Sequence, residues 1–359
     1  MKKVVLFGIV VLGISNLKAQ DSVKINPLTV SAYIEAYYCY DLSNPENHER
    51  PSFFYSYNRH NEVNLNLGFI KANYSKDKIR ANFALMAGTY SQYNLSGEHP
   101  IFQHLFEANI GVKISKKANV WIDAGVMPSH IGFESAIGND CWNLTRSMLA
   151  ENSPYFESGV KLGFTSKSEK VYFAAMYLNG WQHIEKVTGN NTPAFGTQLT
   201  LKPSDKTTLN WSTFIGNEKP DSMMQWRYFN NLYAQIKLHK KLGVTAGFDV
   251  GWEQMKKDTS AYNMWYSPVL ILQFKASEKL RIAARGEYYS DEKGVIISTP
   301  TPNGFQTLGY SLNLDCLPAD NMLFRIEGRM LQSKDEIFLM DKKPSKENYF
   351  LTTSFAISF

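Results

Sequence analysis

The chain has 359 residues, of which 44% are hydrophobic, 14% aromatic and 20% charged, with a formal net charge of +5. With 22 Phe and 20 Tyr it is too aromatic for a disordered or collagen-like chain. The one long apolar run, residues 4–14, falls well short of the ~18 residues a membrane-spanning helix needs.

At the N-terminus, Lys2 and Lys3 precede that apolar run, and a short polar stretch ends on the small Ala19. This is the pattern of an export signal, expected over residues 1–19, with the mature chain starting at Gln20. Three of the 38 basic residues lie in 1–19, which leaves 35 bases against 33 acids, a balance that gives no reason to expect a nucleic-acid partner. Cys39, Cys141 and Cys316 make an odd count, so no disulfide framework is expected. A single Cys39–Cys141 bridge is chemically allowed after export.

From there on, the chain alternates with period two. Ile79, Ala81, Phe83, Leu85 and Ala87 share one face, against Arg80, Asn82, Ala84, Met86 and Gly88. Val244, Ala246, Phe248, Val250 and Trp252 oppose Thr245, Gly247, Asp249, Gly251 and Glu253. Residues 322–331 and the end at Phe355, Ile357 and Phe359 repeat the pattern, and no long segment shows a helical period.

The connections alternate in length. Short charged turns are expected at 75–78, 115–118, 166–169, 203–206, 239–242, 276–279 and 317–321. Longer polar loops are expected at 42–59, 91–102, 128–154, 180–193, 217–226, 255–262, 291–302 and 333–347. The reading is all-β: a transmembrane antiparallel up-and-down barrel of about 16 strands, forming one domain over 20–359. A sandwich or propeller would alternate in polarity too, but would not need short and long connections to alternate over the whole chain.

In such a barrel the apolar face meets lipid and the other face lines the lumen. Inward charges then include Glu35, Glu62, Arg80, Glu107, Lys113, Asp123, Glu157, Lys161, Lys237, Asp249, Glu253, Glu287, Asp315 and Glu327, which suggests a hydrated interior. Arg281 and Arg285 share one inner face, and Arg325 and Arg329 share the inner face of the strand two along. These four form either a basic wall that attracts anions or a set of pairs with Glu287, Asp315 and Glu327. The longest loop, 128–154, carries Glu134, Asp140, Arg146 and Glu151 among many apolar residues. Folded into the lumen, it would hide those residues and constrict a pore. Pore-lining candidates are therefore Arg281, Arg285, Arg325, Arg329, Lys237, Glu134, Asp140, Arg146 and Glu151.

Several strings are more specific than alternation: Trp121-Ile122-Asp123-Ala124-Gly125, Pro128-Ser129-His130-Ile131-Gly132-Phe133-Glu134, Leu144-Thr145-Arg146-Ser147, Ala150-Glu151-Asn152-Ser153-Pro154-Tyr155 and Asn179-Gly180-Trp181-Gln182. With Ser56-Tyr57-Asn58-Arg59-His60-Asn61-Glu62, they resemble the OmpL-like β-barrel porin family of Gram-negative bacteria. The matching strings span residues 30–200. The resemblance implies an outer-membrane barrel of porin type and no particular solute. The terminal Phe359 is similar to the C-terminal aromatic that outer-membrane assembly machinery recognises.

Catalytic and metal motifs are missing: there is no Cys-x-x-Cys, His-Glu-x-x-His, P-loop or Gly-x-Ser-x-Gly, and no cofactor or metal is expected. Only about ten residues separate the signal from the first strand, too few for a plug domain. Three functions remain. The leading one is a porin for passive diffusion of small hydrophilic solutes. The second is a closed barrel acting as a surface receptor or adhesin, with Tyr55, Tyr57, Trp181, Trp226, Tyr262 and Trp265 as anchors, although an interfacial girdle suits those aromatics better. The third is a lipid hydrolase built on His130, Glu134, Ser147, Glu151 and Ser153. Expected partners are outer-membrane lipids, small solutes and the assembly machinery, and a homo-oligomer is compatible by fold-level analogy.

Overall fold

The computed structural model describes residues 26–340 and 342–359, so the expected signal peptide lies outside the described residues. The strands are β1 (Leu28–Asp41), β2 (Val63–Lys76), β3 (Ile79–Ala87), β4 (Leu105–Lys113), β5 (Asn119–Pro128), β6 (Phe156–Thr165), β7 (Val171–Leu178), β8 (Ala194–Ser204) and β9 (Thr207–Asn217). They continue as β10 (Trp226–Lys237), β11 (Leu242–Gln254), β12 (Tyr262–Lys275), β13 (Leu280–Asp291), β14 (Phe305–Ala319), β15 (Met322–Ser333), β16 (Phe338–Met340), β17 (Lys343–Ser345) and β18 (Glu347–Ser358). Two short helices, α1 (Thr89–Asn94) and α2 (Met148–Glu151), lie in loops.

Sixteen of the strands close an antiparallel barrel in chain order, with β18 pairing both β15 and β1, while β16 and β17 form a separate hairpin. Closure leaves no barrel edge unpaired, the condition for placing β structure in lipid. Ile70, Phe83, Ile110, Leu162, Phe248, Leu270, Leu312 and Phe355 point outward and are exposed, giving the apolar belt that the alternation predicts. Two expected turns are tighter than read from sequence. β8 and β14 run on through Pro203 and Pro318, and each pairing shifts register there. Proline has no N–H for the ladder, so it sits where pairing is already irregular.

All seven short turns lie at one end and the long loops at the other. The loops are L1 (42–62), L2 (88–104), L3 (129–155), L4 (179–193), L5 (218–225), L6 (255–261), L7 (292–304) and L8 (334–346). L3 turns inward and fills much of the lumen. L1 follows it, with Phe53, Phe54 and Tyr57 buried in one apolar cluster with Ile131, Leu144 and Met148 of L3.

Candidate functional site

The arginine wall follows from strand parity. Arg285 on β13 and Arg325 and Arg329 on β15 face inward, opposite Ser311 and Asp315 of β14. All three are buried, and each is paired with a carboxylate. Arg325 Nε donates to Asp315 Oδ1 at 2.7 Å, and Arg285 Nη2 to Glu327 Oε1 at 2.9 Å. Arg285 Nε lies 3.1 Å from Glu287 Oε1 as an ion pair, and Arg329 Nη2 donates to that same oxygen. Of the two readings open in the sequence, pairing is the one observed. Arg281 shares their face but sits at the short-turn end, half-buried and without an ion pair among the described residues.

What remains of these side chains is used to hold L3. Arg325 donates to the carbonyls of Gly138, Cys141 and Trp142 at 2.9–3.0 Å. Arg285 donates to Thr145 O at 2.6 Å, and Arg329 to Arg146 O at 2.9 Å. In return, Glu327 accepts from the N–H and hydroxyl of Thr145, and Glu287 accepts from Met148 N at 2.6 Å. A guanidinium presents five donors in a rigid fork, so one arginine can satisfy a carboxylate and loop carbonyls together. The expected hydrated interior is therefore corrected on this wall: charge is packed there, because carboxylates and L3 carbonyls replace water.

The loop candidates occupy different places. Arg146, expected on the pore wall, is 0% exposed and staples L3 internally by donating to Ser135 O, Leu144 O and Ala136 O. Glu134 is buried and accepts from the N–H and hydroxyl of Ser147, the residue that caps α2 by accepting from Ala150 N. Asp140 is exposed within the lumen. Glu151 accepts from Tyr55 N at 2.9 Å and Ser56 N at 3.2 Å, tying L3 to L1. Burial pushes its carboxyl up to about 7, with those N–H donors and the Arg146 charge offsetting only part of the effect. Lys237 is exposed at the short-turn end of β10.

The opposite wall keeps open space. A cavity of about 370 Å³ separates L3 from β2, β4 and β10, lined by Lys71, Glu107, Phe133, Glu134, Asp140, Tyr155 and Gln235 among others. A second space of about 320 Å³ opens toward the long loops, lined by Tyr55, Glu98, Glu151, Trp181, His183 and Arg227 among others. Tyr155 lines the first, and its N–H donates to Gln182 Oε1, at the edge of the second, at 2.7 Å. Three ion pairs lie within this wall, Arg80 with Asp123, Lys71 with Glu107 and Arg227 with Glu253, while Glu157 of β6 pairs with His130 of L3.

Other expectations meet definite outcomes. Cys39 and Cys141 are both free and buried in separate surroundings, Cys39 beside Thr352 on β18 and Cys141 beside Ser135 within L3. The hydrolase set does not assemble. His130 is bonded to Glu157 and to Thr213 O, while Ser147 is bonded to Glu134, and neither Ser147 nor Ser153 bonds the imidazole. Among the described residues no group of three metal-ligating side chains occurs. Tyr57 and Trp265 are corrected from girdle or surface positions to the interior. Parity turns Trp265 inward, where it stacks near Phe229, and Tyr57 donates to both Glu35 oxygens at 3.0 Å. Trp181 packs edge-on against Phe214 and Phe229, whereas Tyr262 is exposed beside Tyr228, as a girdle residue would be.

Sequence reasoning missed the part played by L1. Its signal was the aromatic run Phe53-Phe54-Tyr55 inside a segment read as polar. Arg50 lies between the rings of Phe54 and Phe350, 4.2 and 3.7 Å from their centroids, and anchors that run.

Comparison with known proteins agrees with this architecture. Among solved structures, the anion-selective porin from Comamonas acidovorans superposes with a TM-score of 0.61 at 9% identity, covering 92% of this chain and 99% of that one. The outer membrane channel DcaP of Acinetobacter baumannii gives 0.58 at 10%, covering 92% and 97%. The trimer form of OmpT, an outer membrane protein of Vibrio cholerae, gives 0.58 at 8%, covering 92% and 99%. At such identities the likeness speaks for the fold alone. No curated protein sequence matches the chain. The family model described as "Putative beta-barrel porin-2, OmpL-like" matches residues 27–359, nearly the whole chain. The chain therefore belongs to the OmpL-like β-barrel porins and is a porin of the outer membrane.

Proposed function

We propose that small hydrophilic solutes diffuse passively between L3 and the wall of β2, β4 and β10, with L3 as the constriction and no covalent step. The carrying observation is the cavity of about 370 Å³ on that side, with the exposed Asp140 and the paired Lys71 and Glu107 at its surface. Rings and ladders of charge in such a passage orient ionic solutes as they cross. The apolar belt would contact outer-membrane lipids, the exposed Phe359 would be read by assembly machinery after export, and homo-oligomerisation fits the trimeric relative.

The test is single-channel conductance of the refolded chain in a planar bilayer, repeated after shortening L3. We expect stable steps that grow severalfold when the loop is shortened. Silence from a demonstrably folded barrel would sink the passive-pore reading. The packing of L1 and L3 favours a closed surface receptor as the second reading, and shortening L3 would then change binding rather than conductance. In a lipid hydrolase the same deletion would abolish turnover.

A further inference from the structure

The charges free to act on a solute are not those of the arginine wall. At the short-turn end, Lys237 closes β10 and Lys275 closes β12, both at inward positions. Arg281 is the register partner of Lys275 on the next strand. With Lys206, Lys240 and Lys241 from the adjoining turns, the two lysines line a cavity of about 470 Å³ whose lining contains no carboxylate. None of these bases makes an ion pair among the described residues. Asp315, the register partner of Arg281, is already taken by Arg325.

The roof of this cavity is built. Trp142 of L3 comes down onto β11 at Gly243, where a Cβ would stand 2.7 Å from the indole. A larger residue there would push the ring away. The carbonyl of Trp142 is held by Arg325 at 3.0 Å, so the paired wall fixes the loop that carries the indole to the lysines. Gln273 adds a buried amide to the lining. Unpaired ammonium groups within a Debye length of about 8–10 Å of one another reinforce each other's field at a pore mouth.

We propose that this cavity, beneath Trp142 and between Lys237 and Lys275, binds phosphate- or carboxylate-bearing solutes at the periplasmic mouth and gives the porin an anion preference. The proposal rests on the porin reading for its consequence in transport, though not for binding itself. A soluble anion and the phosphate of a lipid headgroup share this chemistry. The inward lysines serve the first, and the turn lysines Lys240 and Lys241 are placed for the second.

The experiment uses the refolded full chain in phosphatidylcholine, with inorganic pyrophosphate as probe and the fluorescence difference between wild type and Trp142→Phe as readout. We expect saturable binding that weakens about tenfold in the double variant Lys237→Gln/Lys275→Gln, the size expected for removing two nearby charges in a hydrated site. Reversal potentials in a salt gradient should favour chloride and move toward no preference in the same variant. No pyrophosphate response from a folded barrel overturns the proposal, whether or not the barrel conducts. A response that needs anionic lipid and is lost only in Lys240→Gln/Lys241→Gln assigns the site to headgroups and overturns it too. Saturable binding without conductance steps would uphold the site and count against the passive-pore reading alone.

Discussion

The two walls of the lumen carry inward charge with the same period, yet one is packed solid and the other borders open space. On β3–β5, Arg80 reaches Asp123 straight across Gly111, the register partner of both, where a Cβ would stand 2.9 Å from the arginine's Cγ. On β13–β15, Glu287 reaches Arg329 across Gly309, where a Cβ would stand 2.8 Å from the glutamate. Both walls use a small residue to let charges meet over an intervening strand. They differ in what the leftover donors find. Arg80 stacks on Trp121 at 4.3 Å and keeps a side chain 37% exposed, whereas Arg325 spends its remaining N–H groups on three carbonyls of L3. A wall that pairs within itself leaves room for water. One that bonds across the lumen recruits the loop as a plug.

The sharpest way to break this contrast is to remove one arginine from each wall. Arg325→Ala leaves Asp315 buried without its partner and strands the carbonyls of Gly138, Cys141 and Trp142, at an expected cost of about 3–5 kcal/mol. Arg80→Ala, at a partly solvated pair, should cost about 1 kcal/mol or less. Urea unfolding midpoints of the two variants measure the difference. Equal losses would mean that L3 is not held by the wall.

Much of this contrast was legible in the sequence, and its limits are physical. Alternation gives each strand's inner face, because a side chain's side of the sheet depends only on parity. Hence Arg285, Arg325 and Arg329, and the acids between them, fall on one wall before any coordinates are known. Parity also turned Trp265 inward, although its aromatic identity suggested a girdle. What parity cannot give is the partner across the lumen. The bond from Arg325 to Trp142 joins residues 183 apart in sequence. Arg146 shows the same limit: a charged loop residue reads as pore-lining until the loop's own carbonyls are seen to surround it.

A smaller effect sharpens the comparison at the outer end, where loops are held by an ionic clasp outside the barrel wall. His183 of L4 lies 3.6 Å from Glu98 of L2 and 3.2 Å from Glu218 of L5. Burial opposes its charge, but hydrogen bonds to Glu218 and Glu98 prevail and raise the imidazole from 6.5 to about 9. Because the folded value lies above the unfolded one, the clasp contributes fully below about pH 6.5. That contribution is lost as pH rises through about 9. Screening at a partly exposed site limits it to about 1 kcal/mol. Tryptic cleavage after Lys186, normalised to a free peptide, should speed up between pH 7.5 and 9.5, and His183→Gln should abolish the change. A pH-independent rate in the wild type would mean that the loops are held by other contacts.

The smallest expected effect lies where the two regions meet. Glu287 and Glu327 face arginines, but Glu151 is held chiefly by the Tyr55 and Ser56 N–H groups, and its burial outweighs them. A carboxyl raised from 4.5 to about 7 binds more protons folded than unfolded between those values. Its contribution to stability is therefore greatest below about pH 4.5 and falls as pH rises through 7, where the buried group must take up charge. Glu151→Gln stays neutral and keeps an oxygen for both N–H donors. It should match the wild type near pH 5 and exceed it near pH 8, the gap opening as pH rises toward 7. The quantity to measure is the variant-minus-wild-type unfolding free energy at the two pH values. A difference that stays constant would place Glu151 with the arginine-paired carboxylates of the wall, and the junction of L1 and L3 would then be held as firmly as the wall itself.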